Sequence, residues 1–342
     1  MSENPPLPLS VLELATVGTG QTTAEALAAT TQVAQAAERL GYSRIWVAEH
    51  HNMPAVASTS PPVLIAHLAA RTQRIKVGSG GVMLPNHAPL VVAEQFALLE
   101  ALHPGRIDLG IGRAPGTDQQ TALALRRDPA ALSAEDFPQH LLDLMGLFGD
   151  ERVEGGLSER FSATPAAQSA PTVVLLGSSG FSAQLAGALG LPFTFAHHFG
   201  GPNTLAAVQL YRDAFRPSPV LGQPYTIVTA NALVAEDDEQ ARRLALPGQL
   251  MRLSLRTNRL GPVVSLAEAE AHPDRRVAEA MPSNAIVGGP ATAVAELRAL
   301  ADETGADELM VSASTHGPAE RIRSLELLAE AWGLAPAAVR AA

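Results

Sequence analysis

Four short segments of this 342-residue chain hold residue types that could do chemistry: Glu49-His50-His51-Asn52, Gly78-Ser79-Gly80-Gly81, Gly112-Arg113-Ala114-Pro115-Gly116 and Gly177-Ser178-Ser179-Gly180. An imidazole, with an ordinary pKa of about 6.5, suits proton transfer near neutrality. Two adjacent histidines also raise the question of a metal. Neighbours at a strand end point in opposite directions, however, and no further ligands stand at a recognisable spacing, so no metal site is expected. Arg113, on a glycine-flanked loop, can grip a phosphate through paired hydrogen bonds. Ser178-Ser179-Gly180 opens a helical pattern, where free backbone N–H groups and the helix dipole favour an anion. Taken singly, these two also fit a surface arginine and an ordinary serine cap. The glycine run interrupts an apolar strand and leaves holes where side chains should pack. A ligand or a neighbouring element must therefore come close to the backbone there. His197 and His198, behind another apolar run, fit either a pocket wall or a structural role.

These segments share one position: each lies at or just past the end of a strand-like run. The runs predict strands over Leu7–Ala15, Arg44–Ala48, Ile75–Gly80, Arg106–Ile111, Thr172–Leu176, Pro192–Ala196, Tyr225–Val234 and Glu308–Ser312. Helical patterns separate them. Thr22 or Thr23 caps a helix that reaches Leu40 and ends at Gly41. Another begins near Pro61-Pro62, since proline is tolerated in a first turn. Others cover Pro89–Leu102, Pro138–Phe148, Phe181–Leu189, a stretch from Asp237, and the residues after Gly288-Gly289-Pro290. This alternation predicts an α/β fold, a (β/α)8 TIM barrel formed as a single domain over residues 1–342. Residues of about 250–285 are the expected insertion before the last strand. In such a barrel the residues that follow the strands converge on one face, where ligands bind. The Ala-rich tail over 335–342 reads as surface helix or disorder.

Composition narrows the function classes. A content of 46% apolar residues allows a large core, and 24 basic against 34 acidic residues, net −10, argue against a nucleic-acid partner. The absence of cysteine removes disulfides, thiolate nucleophiles and Cys-ligated metal, and fits a reduced compartment. Met1–Ser10 carries no basic stretch followed by an apolar one, so no secretory signal is visible. No apolar run approaches the roughly 18 to 20 residues of a membrane helix, and a cytoplasmic protein without a membrane partner is expected. Gly110, Gly112 and Gly116 do not match the G-x-G-x-x-G dinucleotide fingerprint, and Gly177-Ser178-Ser179-Gly180 is not a nucleophile elbow.

Taken together, several motifs in one order resemble the bacterial luciferase-like flavin monooxygenases. They are Glu49 to Met53, Gly78 to His87, Ala93-Glu94-Gln95-Phe96, Pro104 to Gly116 and Leu176-Gly177-Ser178-Ser179. More narrowly they resemble the single-subunit branch often labelled alkanal monooxygenase-like. The resemblance covers nearly the whole chain and is thin in the insertion. It implies a TIM barrel that binds FMN, as FMNH2 delivered by a separate flavin reductase, at the carboxyl ends of its strands. It also implies O2 as co-substrate and oxygenation of a small to medium organic substrate through a C4a-peroxyflavin.

The resemblance assigns residues as well. Arg113 with Gly177, Ser178, Ser179 and Gly180 would hold the flavin phosphate. Ser79, Gly80 and Gly81 would back the ring, with a non-proline cis peptide at Gly80-Gly81 or else at Ser79-Gly80. His50 becomes the catalytic residue, as general acid, general base or stabiliser of the peroxyflavin, while His51 is structural and Glu49 orients one of the pair. The substrate pocket is expected to include Glu13, His197 and His198, with Glu13 and Leu14 on its floor. Met83, Asn86 and His87 are expected at the ring or at a subunit neighbour. Glu94 is a candidate buried carboxylate paired with Arg106 or Arg113. Relatives associate through helices flanking strands two to four, which implies a homodimer. Two rival functions are an F420-dependent oxidoreductase that transfers hydride and a non-catalytic flavin-binding relative.

Overall fold

The computed structural model describes residues 6–126, 135–199 and 203–335. Its frame is a set of nine parallel strands: β1 (Leu9–Glu13), β2 (Arg44–Val47), β3 (Lys76–Met83), β4 (Ile107–Gly112), β5 (Thr172–Gly177), β6 (Phe193–Phe195), β7 (Thr226–Val234), β8 (Ile286–Gly288) and β9 (Glu308–Ser312). Eight of them close a ring, β1 to β7 in sequence and then β9, which pairs back on β1. The TIM barrel expected from the sequence is thus present. One strand is additional: β8 pairs only with Ala232–Val234 of β7, beyond Asn231, where β9 leaves off. It lies outside the ring, and its three residues are too few to show a period of two. The expected tail over 336–342 lies outside the described residues.

Local chemistry fixes the helices between the strands. Thr22 caps helix Thr23–Leu40 in a reciprocal box with Glu25, and Gly41 ends it at φ +86°, a conformation that glycine adopts without a Cβ clash. Pro61 and Pro89 open helices Pro61–Ala69 and Pro89–Leu102, where a missing N–H costs nothing. The helix expected at Pro138–Phe148 runs over Phe137–Leu147.

Alternation along each strand sorts side chains into two layers. Leu9 and Val11 of β1 pack outward in the large core beneath the helices. Leu12 points into the ring and meets Trp46, Val174, Ile227 and Met310 from four other strands. The glycines of β3 make room for this inner layer. A Cβ on Gly78 would stand 2.7 Å from Trp46 Nε1, and one on Gly80 would stand 2.8 Å from Leu12 Cδ1.

A polar plug closes the amino-terminal end of the barrel. Arg44, first in β2, donates from Nε and Nη2 to Glu308 at 2.8 and 3.0 Å and from Nη1 to Asp108 at 2.7 Å. Trp46 Nε1 also donates to Asp108, at 3.0 Å, and Tyr225 and Ser10 donate to Glu308. Both carboxylates are wholly buried; Arg44, with Lys76 Nζ 3.8 Å from Asp108 as a second cation, keeps them tolerable.

The segment between β7 and β8 folds over the opposite end. Helices Leu246–Thr257, Leu266–Ala271 and Arg275–Glu279 share a small core of Leu246, Leu250, Ala269 and Ala278. Val263 exchanges backbone hydrogen bonds of 2.8 Å with Val17 and Thr19, and Val17 donates to Ala55 at 2.9 Å. The loops after β1 and β2 are thereby tied to this segment. Among the described residues, no helix is long and apolar enough to cross a membrane.

Replacing Arg44 by Met should leave buried Glu308 without its cation and Asp108 with only Lys76, 3.8 Å away, and cost about 3–5 kcal/mol. Urea denaturation followed by circular dichroism reads this as a lowered midpoint; an unchanged midpoint would show that the plug carries no net electrostatic demand.

Candidate active site

At the carboxyl ends of the strands the barrel opens into a cavity of about 900 Å³, including its mouth. Its inner wall is the apolar layer of Leu12, Trp46, Leu176 and Met310, and its rim carries His50, Arg113, Ser178, Ser179 and His198. An apolar slot with a few convergent polar groups is the usual shape of a cofactor site. The backbone of Gly80 and Gly81 forms one side. The peptide between them is cis, and the β3–β4 ladder shifts register between Gly80 and Val82. A Cβ on Gly81 would collide with Leu176 and stand 2.8 Å from the Gly110 carbonyl. Ser79 sits behind this wall, wholly buried, and donates to that same carbonyl at 2.9 Å.

Glu49 organises the rim. It is wholly buried, and its carboxylate accepts from His51 Nε2 at 2.9 Å, His87 Nε2 at 2.9 Å, Asn86 Nδ2 at 3.1 Å and the Met83 amide at 2.9 Å. The loops after β2 and β3 are fastened to one another through it. Asn86 Nδ2 also donates to the Pro115 carbonyl at 2.9 Å, which brings in the loop after β4. Burial alone would raise the Glu49 pKa. Bonding and charge from His87, the His51 bond and the Met83 amide outweigh it and hold the carboxylate below its ordinary 4.5.

His50 and His198 stand on opposite sides of the ring, after β2 and β6. His50 Nδ1 lies 3.1 Å from the Gly116 carbonyl. A carbonyl only accepts, so Nδ1 carries the proton and a neutral ring presents Nε2 as a bare lone pair. Gly116 has φ +67°, and a Cβ there would meet the Glu49 carbonyl at 2.8 Å; glycine fits both demands. Burial pushes the His50 pKa below its usual 6.5, against the opposing pull of Gly116 and Glu49. His198 Nδ1 lies 2.5 Å from Thr229 Oγ1, which itself donates to the Phe195 carbonyl at 3.1 Å. Burial, with smaller contributions from His50 and His197, lowers the His198 pKa to about 4.

The rim also sets a cation beside a helix start. Arg113 follows β4, and its guanidinium lies 4.4 Å from the centre of the Phe181 ring. Among the described residues it makes no ion pair or hydrogen bond. Phe181 belongs to helix Gly180–Leu189, whose N-cap, Ser179, makes no side-chain capping bond. An unpaired cation therefore stands beside the first turn of a helix whose leading N–H groups lack a side-chain cap, the donor set that a phosphate requires.

A family model described as luciferase-like monooxygenase matches residues 7–321. The luciferase-like monooxygenase of Escherichia coli (strain K12) is 45% identical over 252 residues, 74% of either chain. The crystal structure of apo-MsnO8 superposes with a TM-score of 0.89 at 38% identity, covering 97% of this chain and 100% of that one. This chain belongs to the luciferase-like monooxygenase family. It is accordingly an oxidoreductase that incorporates molecular oxygen. The fold extends to a more distant protein, the oxygenating constituent of 3,6-diketocamphane monooxygenase from the CAM plasmid of Pseudomonas putida, in complex with FMN. That structure has a TM-score of 0.71 at 19% identity and covers 95% of this chain and 97% of its own.

Several residues of this luciferase-like chain lie elsewhere than its sequence suggests. Glu13 does not face the cavity; its neighbours Leu12 and Leu14 do. Side chains alternate along β1, so Glu13 points outward, where its carboxylate stands 3.5 Å from Arg321 and accepts from the Ala15 amide at 3.1 Å. His197 is turned away from the cavity and contacts Thr204 Oγ1 at 2.8 Å, whereas His198 lines it. Glu94 is only half-buried and accepts from Thr164 at 3.1 Å. The buried carboxylate of its helix is Glu100, while Arg106 donates to the carbonyls of Ala69, Thr72 and Ile75. Asn86 and His87 reach Glu49, and Met83 does line the cavity. Sequence reasoning missed Leu12, Trp46, Met310 and Thr229 on the wall and Gly116 as the partner of His50. Alternation counted back from the loop residues would have found Trp46 and Met310.

A carboxylate with a depressed native pKa stabilises the fold above its unfolded pKa and loses that contribution as pH falls through the native value. Glu49→Gln should therefore be less stable than the native chain by an amount that is flat above about pH 5 and shrinks as pH falls below 4.5. Urea midpoints measured across that range check this; a gap that widens on acidification would contradict it.

Proposed function

We propose that this family member is a flavin-dependent monooxygenase that receives FMNH2 from a separate reductase and oxygenates a small to medium organic molecule. The observation that carries the reading is the pairing of Arg113 with the uncapped start of helix Gly180–Leu189, at one end of an apolar slot backed by Gly80 and Gly81. In this reading Arg113, the Ser178 and Ser179 hydroxyls and the first-turn amides of Gly180 and its successors hold the phosphate. Gly80 and Gly81 offer a flat surface without side chains to the ring system, and Leu12, Trp46, Leu176 and Met310 exclude water from its edge. The bound reduced flavin supplies the electrons that activate dioxygen.

His50 then works through Nε2. With Nδ1–H held by Gly116, the imidazole accepts a proton at Nε2 from a group in the cavity and later returns it, so its resting role is that of a base. Glu49 does not touch the reacting groups; it fixes the loop on which His50 sits. We also place a homodimer contact on helices Pro61–Ala69 and Pro89–Leu102, where Val63, Val91, Leu98 and Leu102 are exposed.

Removing the cation and removing the base should have different signatures. Arg113→Ala is expected to weaken FMNH2 binding about ten- to a hundredfold, measured by anaerobic fluorescence titration, with turnover at saturation much less affected. His50→Ala should leave binding nearly intact, lower coupled product formation roughly a hundredfold or more and raise hydrogen peroxide release. The acidic limb of the native pH–rate profile should fall below pH 6.5, the ordinary value from which burial lowers His50. Tight binding of F420 in place of FMN, or a reaction that consumes no oxygen, would overturn the assignment in favour of a hydride-transferring enzyme.

A further inference from the structure

The proton positions at the mouth of the barrel bear on what the site can recognise. Thr229 Oγ1 has one proton and two neighbours, His198 Nδ1 at 2.5 Å and the Phe195 carbonyl at 3.1 Å. Were that proton given to His198, two oxygen lone pairs would face each other at 3.1 Å. Both contacts are satisfied only if Thr229 donates to Phe195 and His198 donates from Nδ1. The Asn231 amide donates to the His198 carbonyl at 3.1 Å and the Asn284 amide to the His197 carbonyl at 2.5 Å, which fixes the backbone that carries the ring. The neutral His198 ring therefore turns Nε2 outward as an acceptor, the same arrangement that Gly116 imposes on His50. These two histidines follow β2 and β6, four places apart in a ring of eight strands. A molecule in the middle of the mouth thus lies between two lone pairs.

The rest of this wall agrees. Thr194 lies on β6 on the same side of the cavity, wholly buried, and its hydroxyl finds no partner among the described residues. Leu14, Met310 and Phe199 add apolar surface to the same cavity. Among the described residues that line the cavity the single cation is Arg113, across the mouth beside the start of helix Gly180–Leu189, and the single carboxylate is Glu49, already saturated with donors. We propose that the substrate is a largely apolar molecule bearing a neutral hydroxyl, that of an alcohol, phenol or enol, which donates to His198 Nε2. His198 is in this sense a specificity-determining residue. A carboxylate, ether or ketone oxygen placed there would face a lone pair without a proton between them, and is selected against. This rests on the reading of the cavity as a monooxygenase site, and it names the substrate class of that site.

The test compares two ligands of one carbon skeleton, 2-naphthol and 2-methoxynaphthalene, by isothermal titration calorimetry near neutrality, on the chain alone and on the chain loaded with FMN. The expected result is a preference for the naphthol of roughly tenfold or more in at least the loaded form, and its loss in His198→Phe, which keeps an apolar ring of similar size. Equal affinity of the two ligands for the native chain, no binding of either, or a preference that survives His198→Phe would each overturn the proposal. The native comparison stands by itself if that variant does not fold. Failure of the flavin assignment would appear in the FMN titration and leave the naphthol comparison on the unloaded chain readable, so the two failures are distinguishable.

Discussion

A carboxylate with no exposure to solvent is tolerable only where donors replace its water, and Glu49 meets that demand at the mouth of the barrel. Burying a lone charge costs several kcal/mol after relaxation, so the loops that supply His51, His87, Asn86 and the Met83 amide have little freedom to separate. The next residue in the chain is His50. Its ring is aimed by the turn that Glu49 fixes, and its proton is placed by the Gly116 carbonyl, whose loop is held to the same cluster through Asn86 and Pro115. One buried charge thus sets both the position and the tautomer of the group best placed to move a proton. The rest of the mouth is built on that geometry.

The two ends of the barrel use charge for opposite purposes. At the amino-terminal end two cations, Arg44 and Lys76, offset the two carboxylates Asp108 and Glu308. At the carboxyl end Glu49 is engaged by His51 and His87, whereas Arg113 keeps its positive charge unpaired and burial holds His50 and His198 below the usual imidazole pKa. Trp46 joins the two regimes, with its indole N–H donating to Asp108 and its ring on the cavity wall. Gly78 and Gly80 are the condition for this: a side chain at either would strike Trp46 or Leu12 and close the slot from below. The glycine run serves the inner packing of the barrel and its open face together.

The sequence makes the ring of eight strands legible because seven of the runs are long enough to show their apolar character, and because the loop residues follow each of them at the same end. The side-chain directions are less legible. β1 is buried on both faces, so it shows no alternation to read, and Glu13 cannot be told from Leu12 or Leu14 by pattern alone. Its charge is absorbed by Arg321, which arrives from the last helix, more than three hundred residues away along the chain. His197 and His198 present the same difficulty at a strand end, where adjacent residues part company and one turn decides which enters the cavity. Glu94 and Glu100 share a helix, but Glu100 is the one buried, capping the turn at Gly105 with a 2.7 Å hydrogen bond. The role of Gly116 depends on a carbonyl direction, which residue type does not encode.

The contact between Arg113 and Phe181 explains how a cation can remain available at the rim of an otherwise apolar slot. A guanidinium left alone there would be drawn to a nearby carboxylate, and this chain carries an excess of ten acidic residues over basic ones. Stacking over an aromatic face satisfies the charge electrostatically without engaging its N–H donors in hydrogen bonds. Phe181 is itself part of the first turn of helix Gly180–Leu189, so the ring that steadies the arginine also places it beside the free amides of that turn. Arrival of a dianion then needs no ion pair to be broken and little rearrangement. Under the proposed flavin reading, pre-organisation of this kind, in which a ring face substitutes for a counter-ion, would favour a phosphate over a monoanion that could use only one of the two donor sets.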